Sequence, residues 1–155
     1  MFPLLRYTTS RDRPATEAAG IIAMLGVERQ VNADPLALAD AIAEGLAPEA
    51  ADALAMILGR AAVVGPVIPE ATLRRKRLAG ERLPREMSER LYEIGRVLDA
   101  AARVWHGDAD AIGRFLNRPH PLLNGRTPLD VARTSSAGAD AVIDLVRRAD
   151  AGFAV

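Results

Sequence analysis

Hydrophobic and polar positions along this chain repeat with helical spacing and show no alternating runs. The clearest pattern follows Pro84. Met87, Leu91, Ile94, Leu98, Ala101 and Trp105 recur at spacings of 4, 3, 4, 3 and 4, a single stripe along one helix. Each large apolar side chain buried along such a stripe contributes about 1.5–3 kcal/mol, so this segment reads as the central strut. The same heptad-like seam suits either an intrachain core or a two-fold partner.

Start and stop signals delimit the other helices. One is expected from Thr16 to Leu25, stopped by Gly26. Asp34-Pro35 pairs a capping oxygen with proline at the first helical position, and Leu36, Leu38, Ala39 and Ile42 follow before Gly45. Pro48 opens a segment with Leu54, Ile57 and Leu58 that ends at Gly59. Gly65-Pro66 and Pro69 leave room only for a short or broken helix over 61–69. A basic helix is predicted from Pro69 to Ala79, closed by Gly80. Gly107 ends the long helix, and Asp108 caps a helix through Ile112, Phe115 and Leu116 to Asn117.

Residues 118–126 read as an ordered loop with Pro119, Pro121 and an Asn124-Gly125 turn. Thr127-Pro128 starts a short helix, which Ser135, Ser136 and Gly138 break. A last helix carries Val142, Ile143, Val146 and Ala149 to Gly152, and Phe153-Ala154-Val155 forms a short apolar tail. The first fifteen residues are expected to be a loose arm. The fold class is all-α.

Composition narrows the picture. A chain of 155 residues holds one domain or two small ones. Half the residues are hydrophobic but only 4% are aromatic, so the core must be aliphatic, which suits close-packed helices. The absence of cysteine excludes disulfides, thiol nucleophiles and thiolate metal sites. No stretch approaches the ~20 apolar residues of a membrane span. The N-terminal stretch lacks the pattern of a secretory signal, and a cytoplasmic location is expected.

The 20 basic and 20 acidic residues cancel, yet they are unevenly distributed. From Val31 to Leu58 there are five acids and no base. From Thr72 to Arg90 seven bases face three acids. Within that segment Leu73 is expected to face inward while Arg74, Arg75, Lys76 and Arg77 spread over the exposed side. Thr72 is placed to contact phosphate or cap locally. A short helix, a sharp turn and a basic helix have the shape of a helix-turn-helix unit, whose adjacent bases would mostly meet phosphates. The alternative is a solvated basic face.

Catalytic signals are thin. His106 and His120 are the only histidines, and nothing in the sequence sets either beside Ser135 or Ser136. Asp108 and Asp110 sit where helix N-terminal acids are commonplace. Neither GxGxxG nor GxxxxGK[ST] occurs. The chain reads as a binding module: not an enzyme, with no cofactor and no metal.

The segment from Ala47 onward resembles the Xre/MbcA/ParS antitoxins, most closely ParS-like members. The resemblance rests on an ordered succession. Thr72-Leu73 and Arg75-Lys76 come first, then Gly80, Arg82-Leu83 and Ser88-Glu89-Arg90-Leu91. Val104-Trp105-His106-Gly107-Asp108, Ala111 and Phe115-Leu116 follow. The loop Pro119 to Leu123, Gly125-Arg126-Thr127-Pro128-Leu129-Asp130, Thr134, Gly138, Val142, Leu145 and Gly152 complete it. Over 61–68 the chain departs from the family's regular first helix and Gly-Ile-Ser-like turn, with Pro66 and Val67 in place.

The resemblance implies an all-helical protein in three parts: an arm and helices over 1–46, an Xre-like helix-turn-helix over 47–83, and a toxin-binding part over 84–155. It implies a RES-domain toxin as partner, of a class that degrades NAD or transfers its ADP-ribose. The antitoxin would cover that active site, self-associate as a homodimer or in a 2:2 complex, and with the toxin repress its own operon through operator DNA. The toxin-facing residues are then Arg118, His120, Asn124 and Arg126 in the loop, and Phe153, Ala154 and Val155 in the tail. The DNA-facing residues are Thr72, Arg74, Arg75, Lys76 and Arg77. The competing reading is a helix-turn-helix regulator with no toxin-neutralising role.

Overall fold

A computed structural model describes residues 3–29 and 31–152. Among these the chain is all-α, with only an isolated bridge between Val64 and Ile68. The helices are α1 (Glu17–Leu25), α2 (Pro35–Glu44), α3 (Glu49–Leu58), α4 (Arg60–Val63), α5 (Glu70–Ala79), α6 (Arg85–Val104), α7 (Ala109–Asn117), α8 (Pro128–Thr134) and α9 (Ser136–Asp150). Two 3-10 turns, Pro3–Tyr7 and Pro121–Leu123, complete the set.

The local punctuation acts as expected. Side chains of Thr16, Asp34, Asp108, Thr127 and Ser135 accept hydrogen bonds from the first-turn amides of the helices they precede. Ser135 therefore starts the last helix directly, and Gly138 lies inside that helix rather than in a break. Gly26 and Gly80 close α1 and α5 in the left-handed conformation.

The 20-residue α6 is the strut, about 30 Å long. α1, α2, α8 and α9 pack around it. Its buried set exceeds the predicted stripe: Ser88, Gly95, Val97, Asp99 and Ala102 join Leu91, Ile94, Leu98 and Ala101, while Met87 and Trp105 are half-buried. Neighbours on several sides bury more than half the helix circumference. The seam is thus occupied within the chain. α1 reaches α6 at two glycines. A Cβ on Gly20 would lie 1.8 Å from Asp99 Oδ1, and one on Gly95 would press Ile21 at 3.3 Å.

The loose arm is not observed. Leu4 and Tyr7 are buried. The Tyr7 hydroxyl donates to Asp99 Oδ1 in a short contact, and Arg103 Nε donates to Asp99 Oδ2 at 2.9 Å. The Arg103 guanidinium also donates to the carbonyls of Pro14 (3.0 Å) and Thr16 (2.9 Å). Burial raises the Asp99 carboxyl above its usual range, partly countered by the bonds from Arg103 and Tyr7. A buried carboxylate needs such donors, and it obtains them by folding the N-terminal segment against α6.

Helices α3, α4 and α5 form an excursion closed at its base. The chain leaves at Leu46 and returns at Leu83, whose amide donates to the Leu46 carbonyl at 2.8 Å. Ser88 Oγ accepts from the Leu46 amide at 2.8 Å and anchors that base to α6. On the excursion, α4 is a single turn, as the Gly65-Pro66 signal requires.

Candidate functional site

Three surfaces stand out: the loop between α7 and α8, the basic helix α5, and a groove beside α6.

The loop is built around His120. Its amide donates to the Arg126 carbonyl, and its own carbonyl accepts from the amides of Leu123 and Gly125, each at 3.0 Å. Its ring Nδ1 accepts from the Leu122 amide at 3.2 Å. Asn124 turns the chain in the left-handed region (φ 56°) and donates its amide to the Pro121 carbonyl at 3.1 Å. The Arg126 amide and Nε both donate to the Leu123 carbonyl at 3.2 Å.

Three of the four predicted loop residues therefore shape the loop themselves. Arg118, just past α7, is exposed. Beneath the loop, Leu123 is buried, and Trp105 packs on Phe115 with ring centroids 4.9 Å apart. The loop's most exposed large apolar group is Leu122, at 59%. Sequence reading missed it. The available signal was the Leu122-Leu123 pair, since adjacent residues of a tight turn cannot both face inward.

On α5 only Leu73 is buried, and Thr72 is half-buried. The four bases divide. Arg77 donates to both carboxylate oxygens of Asp52 at 2.7 and 2.6 Å, and Lys76 donates to Glu81 at 2.7 Å. That hydrogen bond holds the Glu81 carboxyl below its usual range. Arg74 and Arg75 are exposed and make no ion pair among the described residues. The acidic stretch before α5 thus folds one of its carboxylates onto the basic helix.

The groove, about 790 Å³, runs between α1, α2, α6 and the α8–α9 junction. Ala18, Leu38 and Ile42 contribute apolar lining. On its rim Arg85 pairs with Glu89 (2.9 Å) and Arg90 with Glu86 (2.7 Å). Among the described residues there is no cluster of potential metal ligands, and no helix is long and apolar enough to cross a membrane.

Comparison with protein families matches residues 100–152 to the antitoxin Xre/MbcA/ParS C-terminal toxin-binding domain. Residues 100–152 are similar to the toxin-binding domain of this family. The match covers about a third of the chain. No curated protein matches the chain. The matched region runs from the last turn of α6 through α7, the His120 loop, α8 and α9. Arg118, His120, Asn124 and Arg126 lie inside it, whereas Thr72 and Arg74 to Arg77 lie before it. Arg103, which grips the N-terminal segment, belongs to its first turn. Phe153, Ala154 and Val155 lie beyond the match and outside the described residues.

Proposed function

We propose that this chain is the antitoxin of a type II toxin–antitoxin pair and that it neutralises a RES-domain, NAD-using toxin by covering its active site. The observation that carries the reading is the toxin-binding domain match over 100–152, which contains a stiff, exposed loop. That match favours the antitoxin over a regulator with no toxin-neutralising role. The RES partner is supported by the ordered succession of motif residues from Thr72 to Gly152.

In this reading residues 84–155 form the toxin-binding part. Arg118, His120, Asn124 and Arg126 present the loop, and Phe153, Ala154 and Val155 are the further toxin-binding residues, for a toxin whose dinucleotide pocket is concave and partly polar. Residues 47–83 form an Xre-like helix-turn-helix. Thr72, Arg74, Arg75, Lys76 and Arg77 face operator DNA, so that the antitoxin represses its own operon. Within 1–46, the Pro3–Tyr7 turn, α1 and α2 brace α6. The complex is a 2:2 assembly or contains an antitoxin homodimer, in the cytoplasm.

Co-expression tests this. The product of the neighbouring gene, induced alone, should arrest growth and deplete cellular NAD. Co-induction of this chain should restore both, and the two proteins should co-purify. Growth arrest with neither a fall in NAD nor any ADP-ribosylated protein would leave an antitoxin but remove the NAD-using partner. No arrest and no complex would overturn the reading.

A further inference from the structure

Five large apolar side chains stand exposed among the described residues: Leu5, Leu36, Met56, Leu78 and Leu122. Only Leu122 lies within the toxin-binding domain. An isolated exposed leucine is ordinary; its setting is what distinguishes Leu122. It occupies the middle of the Pro121–Leu123 turn, between two exposed residues, Pro121 and Asn124. The turn is closed at its neck by the His120 amide on the Arg126 carbonyl and stiffened by the left-handed Asn124-Gly125 pair. The Leu122 amide is itself tied to His120 Nδ1. Leu123, buried next door, anchors the turn to the body.

An apolar side chain on such a frame has already lost most of the backbone freedom that binding would otherwise remove. Interface hot spots have this character: a central apolar group seated in a desolvated pocket, surrounded by a polar rim. Arg118 and Arg126, both exposed and both cationic, lie four residues to either side of Leu122 along the chain and are the candidates for that rim.

We infer that Leu122 is the apolar anchor of the toxin interface. Its seat on the toxin is an apolar dimple bordered by carboxylates that meet Arg118 and Arg126. The polar residues His120 and Asn124 then act as positioning residues, since their bonds set the loop's shape. This rests on the reading of the chain as an antitoxin, and it adds the group that contributes most to that contact.

The test measures affinity between the full-length chain and the product of the neighbouring gene by titration calorimetry. Leu122→Ala should weaken binding about tenfold or more, and Leu122→Asp more strongly. Both variants should melt like the wild type, because the side chain is exposed. Leu36→Asp, at a position somewhat more exposed (67% against 59%) but outside the domain, should bind as the wild type does. A Leu122→Asp variant that keeps wild-type affinity overturns the inference while leaving the antitoxin reading intact. Equal losses from Leu122→Asp and Leu36→Asp also overturn it, since the effect would then be general to added charge. A wild-type chain that fails to bind removes the reading beneath it.

Discussion

Tyr7 donates its hydroxyl proton to Asp99, a partner 92 residues along the chain, and both side chains are buried. Arg103 completes the cluster from below, its guanidinium carbon 5.8 Å from the centre of the Tyr7 ring. This contact joins the Pro3–Tyr7 turn to the helix that leads into the region similar to a toxin-binding domain. Removing the hydroxyl in Tyr7→Phe leaves a buried carboxylate short of one donor. The expected cost is about 1–3 kcal/mol in urea denaturation. A loss below about 0.5 kcal/mol would show that Arg103 alone satisfies Asp99.

The same residue sets an alkaline limit. Burial, with Asp99 adding to it, raises the Tyr7 phenol far above its ordinary value of about 10. A raised folded-state value means that the folded chain holds the proton longer than the unfolded chain. The stabilisation is therefore complete below about pH 10 and declines as pH rises beyond it, by at most about 1.4 kcal/mol per pH unit. The stability difference between wild type and Tyr7→Phe should accordingly shrink from pH 9 to pH 11. A constant difference across that range would contradict this.

Gly20→Ala sets two effects against each other. Helix propensity alone favours alanine by about 1 kcal/mol. The added methyl would meet Asp99 Oδ1 at 1.8 Å and the Tyr7 hydroxyl at 2.7 Å, in a cluster with no slack. Overpacking of this kind costs about 1–3 kcal/mol and should prevail, giving a lower melting temperature. A more stable variant would mean that α1 slides along α6 at little cost.

The division among the α5 bases predicts unequal variants. If the helix meets operator DNA, Arg74→Ala with Arg75→Ala should flatten the dependence of log affinity on log salt by about two units. Lys76→Ala with Arg77→Ala should flatten it by less than one, because Glu81 and Asp52 already hold those cations. Binding measured across a salt series decides. Equal losses from both pairs, or no binding by the wild-type chain, would sink the DNA role of α5.

Deletion of Phe153 to Val155 should leave the helical circular dichroism signal and melting temperature near those of the wild type. It should abolish protection of cells against the toxin. Full protection by the truncated chain would place neutralisation in the loop around Leu122.

Whatever depends on near neighbours was readable from the residues. Thr16, Asp34, Asp108 and Thr127 cap amides two or three positions ahead, so each helix start is written beside itself. The α6 stripe was legible because a helix repeats its own geometry, and Asn124-Gly125 because left-handed backbone suits those residues. Four features required the packed molecule. The N-terminal segment looks like an arm until Asp99 provides a buried partner for Tyr7. Gly20 has no special meaning until α6 arrives against it. Arg77 counts as a surface cation until α3 brings Asp52 within 2.7 Å. Leu122 and Leu123 are the same amino acid, and only the closure of the loop buries one and exposes the other. Each of these depends on which distant group comes to lie opposite a side chain. That pairing follows from the packing of helices around α6, and no local spacing encodes it.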